Sequence, residues 1–500
     1  MANELNFYVL KTIELQGVEK LYCLHGNWSS IIHIAHFSQT NSSILTERIH
    51  YIIKQLLKKH PRLRSRIRII RSFDSQTNNE KHLLDLFDYD EELFSRTDIL
   101  QNFYSFYSGN ENWMKIAENL SNKNPYNKEL TYIFPLFHFK LIFNENSPEN
   151  SHLILLTNHS ISDGQSGYII LHDYLTLATQ NECVEWEINR NLSPNLIDLT
   201  EKPYTFLYPI ISKLCNIIYS CQMKYLDNKL PTKSIPINSN QPNDKRYPYV
   251  QPMRTHFLFT SCSNDHYEHL RSICHKQNLT LHGPLFACLI LTIQYLFFPK
   301  FKRDILMNFD ISIDYNMRNR LLLNNYSLKE IVGFYIGVNS IDLSDISVDM
   351  NFWSLANYCS KETNKKLSDG EVSFNTHIFS NIINDDKNDF FHLMGKSSDG
   401  CLSEMNYSNL GKYPYDITQY KNINLDGIHL VNNSSIYYSS TIIYLTCVKQ
   451  IDISLAHRFE HHDKAREFLY LYKNLIELSV DFHMNTTIQD IFDLLNKNTY

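Results

Sequence analysis

Five hundred residues, 43% of them apolar, exceed what one hydrophobic core usually holds, so a protein of two globular lobes is expected. A net charge of −6 gives no electrostatic footprint for nucleic acid, and ten cysteines without a C-x-x-C spacing support neither a disulfide framework nor a metal site. Glu4 stands where a signal peptide would be basic, and the longest apolar run, Pro284 to Pro299, is too short to cross a bilayer, so a cytoplasmic protein without a transmembrane segment is expected.

Strand and helix signals alternate from the amino terminus to about residue 190. The run Ser151-His-Leu-Ile-Leu-Leu-Thr157 is short and apolar enough to be a buried strand. His159 falls just past its end, where an imidazole meets a cavity instead of being packed inside. A lone histidine at a strand end is more often structural than catalytic, but here an Asp-Gly pair follows at a fixed offset. Asp163, four residues on, is placed to fold back and brace the turn, and Gly164 allows a backbone angle or close approach that other residues resist. Gln165 to Leu175 carries Tyr168, Ile169, Leu171 and Leu175 at helical spacing, which predicts an amphipathic helix.

Residues 226–254, with Pro at 231, 236, 242, 248 and 252, have the composition of an irregular crossover. Beyond it, Thr255 to Thr260 reads as a strand, 264–278 as a helix, Thr280 to Phe298 as an apolar helix, and Asp463 to Val480 as a final amphipathic helix. The expected division is an N-terminal lobe over 1–195, a crossover over 196–253 and a C-terminal lobe over 254–500. His457, His461 and His462 match no zincin spacing and precede a helix, so a solvated helix start is expected there. Ser166 lacks a G-x-S-x-G elbow, which disfavours a serine hydrolase, and no Gly-rich phosphate loop supports nucleotide hydrolysis or dinucleotide redox chemistry.

The block His159-Ser-Ile-Ser-Asp163-Gly164 resembles the HxxxDG signature of the condensation-domain and CoA-dependent acyltransferase superfamily. Other blocks agree in order. His60-Pro61-Arg62-Leu63-Arg64, within 55–67, resembles the superfamily's rHPxLR segment between a first helix and a strand; residues 135–142, opening Pro135-Leu136-Phe137, resemble the strand before the histidine strand. Residues 279–290, with Thr280, Gly283, Leu285 and Ala287, resemble the helix that opens the second half. Asn316-Met317-Arg318 resembles the NLR strand end, Gly333-Phe-Tyr-Ile-Gly337 its continuation, and Ser408-Asn409-Leu410-Gly411 the SNLG block. Asn158 stands where peptide-condensation domains carry a second histidine, and a DFGWG block is absent. The resemblance is therefore nearest to free-standing alcohol O-acetyltransferases and polyketide-associated acyltransferases.

The resemblance implies a mixed α/β fold like that of chloramphenicol acetyltransferase: two pseudo-equivalent α+β sandwich lobes with an active-site channel between them. It implies transfer of an acyl group from an acyl thioester to a hydroxyl or amine, with acyl-CoA as co-substrate and no bound cofactor. His159 would be the general base, since imidazole, with an unperturbed pKa of about 6.5, is mostly neutral at neutral pH. Asp163, Gly164 and Arg318 would support the site, Asp163 pairing with Arg318, while Asn158, Ser162, Ser408 and Asn409 are candidate oxyanion or substrate contacts. The basic cluster Lys58 to Arg71 is expected on the surface, where it would also attract an anionic donor. The expected partners are a small-molecule acceptor and the thioester donor, acting on a monomer. Two alternatives are a condensation domain fed by an acyl carrier protein and a non-catalytic binding module on the same fold.

Overall fold

The computed structural model describes residues 7–23, 29–71, 80–109, 112–122, 132–144, 147–180, 182–200, 254–297, 311–321, 327–341, 346–385, 403, 405–433, 439, 441–459 and 461–498. Of the predicted crossover over 196–253, only the short helix Leu196–Thr200 falls within them; 201–253 lie outside the described residues.

Three sheets organise the chain. A five-stranded sheet runs Leu425–Asn432, Ser30–Phe37, Ser147–Asn158, Phe137–Asn144, Tyr104–Ser108, which puts the histidine strand at its centre. A six-stranded sheet runs Ile336–Ile341, Ile311–Asn316, Met405–Lys412, Thr441–Cys447, Ile451–His457, His256–Cys262. Val9–Glu14, Glu80–Phe87, Ser65–Arg71 and Tyr132–Ile133 form a smaller third sheet.

The centre of the five-stranded sheet shows why an uninterrupted apolar run makes a strand. Leu153, Ile154 and Leu155 are all fully buried, so neighbouring side chains on opposite faces of the strand both need apolar partners. Leu153 and Leu155 join the N-terminal core, built with the helices Ile49–Lys59 and Gly164–Thr179. Ile154 joins a cluster with Ile32, Leu430, Ile442 and Phe257, which draws on both large sheets. The second core gathers around the helix His282–Phe297, buried along most of its length.

Leu425–Asn432 comes from the C-terminal half of the sequence but pairs antiparallel with Ser30–Phe37, Ile428 opposite Ala35. The chain thus returns across the channel to complete the sheet that carries the histidine.

Four local expectations are corrected. Gly164–Thr179 is a helix, but not an amphipathic one: Ile170 and Leu177 are buried along with the predicted apolar face, and even Asp173 is enclosed, held by His60 Nε2 at 2.7 Å and Lys59 Nζ at 2.7 Å. His462–Leu478 is not the last helix, since Ile488–Asn498 follows it and places Ile488, Ile491 and Leu495 in the second core. His457 is no solvated helix start; it is the fully buried end of the strand Ile451–His457, and only His461 and His462 stand at the start of the helix. The basic segment from Lys58 is not a surface patch either. Arg62 and Arg64 are 1% and 0% exposed, because Arg62 donates to Glu19 at 2.8 Å while Arg64 donates to backbone carbonyls, including that of Leu57 at 2.7 Å. Arg66 and Arg68, further on, both reach Asp85.

Candidate active site

The strand Ser147–Asn158 delivers His159 to a tight turn. The His159 N–H donates to the Ser29 carbonyl at 2.8 Å, which extends the pairing with the neighbouring strand by one residue. Asn158 Oδ1 accepts from Ser160 N at 3.0 Å and Ser160 Oγ at 2.6 Å, tying the turn to itself. The Ser162 carbonyl lies 2.8 Å from His159 Nδ1. A carbonyl oxygen only accepts, so this contact puts the proton on Nδ1 and leaves a lone pair on Nε2 in the neutral ring. The ring is 4% exposed and lies between aromatics: Tyr22 stacks on it at 4.3 Å and Phe334 meets it edge-on at 5.4 Å. Burial lowers its pKa below the ordinary histidine value, against the Ser162 hydrogen bond and the Asp163 charge.

Asp163 points away from this ring and into the other lobe. Its carboxylate takes Arg318 Nη1 at 2.7 Å and Nη2 at 2.9 Å, a two-pronged contact between side chains 155 positions apart. It also caps the helix Gly164–Thr179 through Ser166 N at 2.8 Å, and accepts from Tyr335 N at 2.9 Å. Burial alone would raise its pKa; the Arg318 guanidinium and the two backbone N–H groups outweigh that and hold it below the usual carboxylate value. Arg318 Nη2 donates further to Ser166 Oγ at 2.8 Å and the Gly333 carbonyl at 3.1 Å.

Gly164 has no left-handed backbone; of the two roles foreseen for it, the structure shows the close approach, since an added Cβ would come within 2.7 Å of Leu410 Cδ2 across the channel.

Two chambers meet at the histidine. One, of about 330 Å³, has Tyr22, Phe334, Ile378 and Phe379 in its walls. The other, of about 80 Å³, is lined by Gly164, Arg318, Ser408, Asn409 and Leu410. His159, Asp314, Ile336, Asn432 and Tyr444 belong to both, so His159 stands at the junction of a passage lined from both halves of the sequence. Of the candidate oxyanion contacts, Ser408 and Asn409 face the smaller chamber, whereas Asn158 is engaged in the turn and Ser162 is fully buried with its hydroxyl toward the Asp163 carbonyl.

A family model for alcohol acetyltransferases matches residues 99–424, about two thirds of the chain. The chain belongs to the alcohol acetyltransferase family. No curated protein matches it in sequence. Among solved structures, the trichothecene 15-O-acetyltransferase of Fusarium sporotrichioides is similar at a TM-score of 0.66 and 12% identity, over 93% of this chain and 94% of that one. The condensation domain of the monacolin K polyketide synthase MokA is similar at 0.61 and 10% identity, over 96% and 99%. Polyketide synthase associated protein 5 of Mycobacterium tuberculosis is similar at 0.55 and 12% identity, over 94% and 99%. These likenesses show the fold: mixed α/β with two lobes, as in the condensation domains and acetyltransferases.

In this alcohol acetyltransferase-family chain, sequence reasoning missed Tyr22, Phe334, Asp314 and Tyr444 at the site. Phe334 lay within a block singled out by resemblance, and Asp314 two positions before the Asn316-Met317-Arg318 block, but no local pattern marks a tyrosine 137 positions upstream as the neighbour of His159.

Replacing Asp163 by Ala leaves the Arg318 guanidinium buried without its counter-charge. Asp163→Ala is expected to lower unfolding stability by about 3–5 kcal/mol. Urea denaturation measures this, and a variant as stable as the native chain would contradict the brace.

Proposed function

We propose that the protein moves an acyl group from acyl-CoA to a hydroxyl or amine acceptor, with His159 as general base. The observation that carries this reading is the His159 Nδ1 to Ser162 carbonyl contact, which leaves the basic lone pair on Nε2 of a ring that lines both chambers. Membership of the alcohol acetyltransferase family supports the class of reaction.

In the first step Nε2 takes the proton of the acceptor O–H or N–H as the oxygen or nitrogen attacks the thioester carbonyl. A new C–O or C–N bond forms and the carbonyl electron pair moves onto oxygen. In the second step that pair returns, the C–S bond breaks, and the imidazolium gives its proton to the departing CoA thiolate. The base is thereby regenerated. Asp163 and Arg318 take no proton; they hold the turn. Joining both substrates in one passage contributes through proximity, and the aromatic walls on the ring keep water from competing as acceptor.

The reading is tested by free-thiol release from a panel of acyl-CoAs with mixed alcohol and amine acceptors. His159→Ala is expected to lower kcat/KM by about 10²–10⁴ while retaining the native unfolding midpoint. Release from carrier-bound phosphopantetheine thioesters but from no CoA ester would move the donor to a carrier protein, and release from neither would overturn the transferase reading. Because burial lowers the histidine pKa, the base is held more in its neutral form at neutral pH than an ordinary histidine. The kcat/KM of the native chain is therefore expected to fall on acidification with a midpoint below the ordinary histidine value of about 6.5. A midpoint above that value would contradict the assignment.

A further inference from the structure

Asp314 lies on the strand Ile311–Asn316, where Ile313 and Tyr315 turn into the second core and Asp314 turns to the opposite face. That face is the wall shared by both chambers, so Asp314 looks onto the same space as His159. Its remaining exposure is to that passage.

The surroundings of this carboxyl are unusual for a buried acid. Asn406 Nδ2 donates to Oδ1 at 3.0 Å, and the Ser408 hydroxyl also bonds to it. Among the described residues, however, no Lys, Arg or His forms an ion pair with Asp314. Among the described residues, Arg318 is the one guanidinium lining either chamber, and it is engaged by Asp163; no described lysine lines them. Among the described residues, four of the five buried acids have a cation: Glu19 has Arg62, Asp85 has Arg66 and Arg68, Asp163 has Arg318, and Asp173 has Lys59 and His60; the fifth, Asp452, has no ion pair but sits near His429. Burial accordingly pushes the Asp314 carboxyl up to about 6, against the two hydrogen bonds. A buried carboxylate is stable where a cation completes it, and inside a substrate passage that cation belongs to the ligand.

We propose that Asp314 binds an ammonium group of the acyl acceptor, so that the acceptor is an aliphatic amino compound carrying its positive charge apart from the hydroxyl or amine that attacks. This rests on the transferase reading and adds to it the chemical class of the acceptor. Asp314 is a specificity-determining residue in this account: the apolar side chains Phe334, Ile336 and Ile442 contact the aliphatic part, and the carboxylate selects the charged end. A lone carboxylate among neutral amides falls short of a metal site, and no group of metal ligands is present among the described residues.

The test is isothermal titration calorimetry at neutral pH on the full chain, without any acyl donor. The two probes are octanol bearing a terminal amino group at the far end, and nonanol, its uncharged counterpart of equal length. The native chain is expected to bind the amino alcohol roughly tenfold or more tightly than nonanol, as a charge-assisted hydrogen bond provides. In Asp314→Asn that preference should shrink to within about twofold while nonanol binding is unchanged. Equal binding of the two probes by the native chain, no binding of either, or a preference that survives in Asp314→Asn would each overturn the proposal. The native comparison decides the matter even where the variant does not fold. Thiol release does not enter this readout, so a charge preference without any transferase activity would remove the transferase reading and leave the ammonium site standing.

Discussion

The Asp163 carboxylate accepts four hydrogen bonds, two from Arg318 and one each from the backbone of Ser166 and Tyr335. No other contact described here joins so many parts of the site: the histidine turn, the helix Gly164–Thr179, the end of the strand Ile311–Asn316 and the segment leading into Ile336–Ile341. A buried ion pair is a poor source of net stability, because removing two charges from water offsets most of their attraction. Its value lies in direction. A planar guanidinium meeting a carboxylate along two parallel bonds admits one orientation, which fixes the turn bearing His159 against the facing wall. The strand Leu425–Asn432 closes the same gap from the other side by pairing with Ser30–Phe37, the neighbour of the histidine strand.

With the turn held, the electrostatics of the histidine follow. Burial between Tyr22 and Phe334 disfavours the imidazolium, and the Ser162 carbonyl fixes which nitrogen carries the proton. Asp163 is near enough to act on the ring as a charge but is turned toward Arg318. The arrangement differs from a catalytic triad, in which a carboxylate bonds directly to the imidazole; here a backbone carbonyl sets the tautomer and the carboxylate secures the backbone. Gly167 adds to this scaffold: a Cβ there would fall 1.9 Å from His33 Cε1, so the helix approaches the sheet closely enough for His33 Nε2 to reach the Gly164 carbonyl at 2.8 Å.

What the sequence makes legible is local. Leu153 to Leu155 announce a buried strand because three consecutive apolar residues suit no half-exposed element, and Asp163 ahead of an apolar run is a helix cap as well as a motif residue. The relation of Asp163 to Arg318 was accessible only through resemblance, since no spacing links residues 155 positions apart. The illegible features are those in which distant residues override local character. Arg62 and Arg64 look like surface charges until Glu19 and a set of free carbonyls are brought to them. Gly164–Thr179 reads as two-faced until the sheet on one side and Ile49–Lys59 on another cover it. Asp314 looks like an ordinary polar position on a strand, and only the meeting of Ile311–Asn316 with Met405–Lys412 at the channel shows a carboxyl held by Asn406 and facing the base.

The central claim is that a neutral His159 carries its proton on Nδ1 and offers Nε2 to the passage. Neutron diffraction from deuterium-exchanged crystals grown at neutral pH locates that hydrogen directly. The account predicts deuterium on Nδ1, directed at the Ser162 carbonyl, and none on Nε2. Deuterium on Nε2 with Nδ1 bare would contradict it, because the ring would then have no lone pair to accept a proton where the chambers meet.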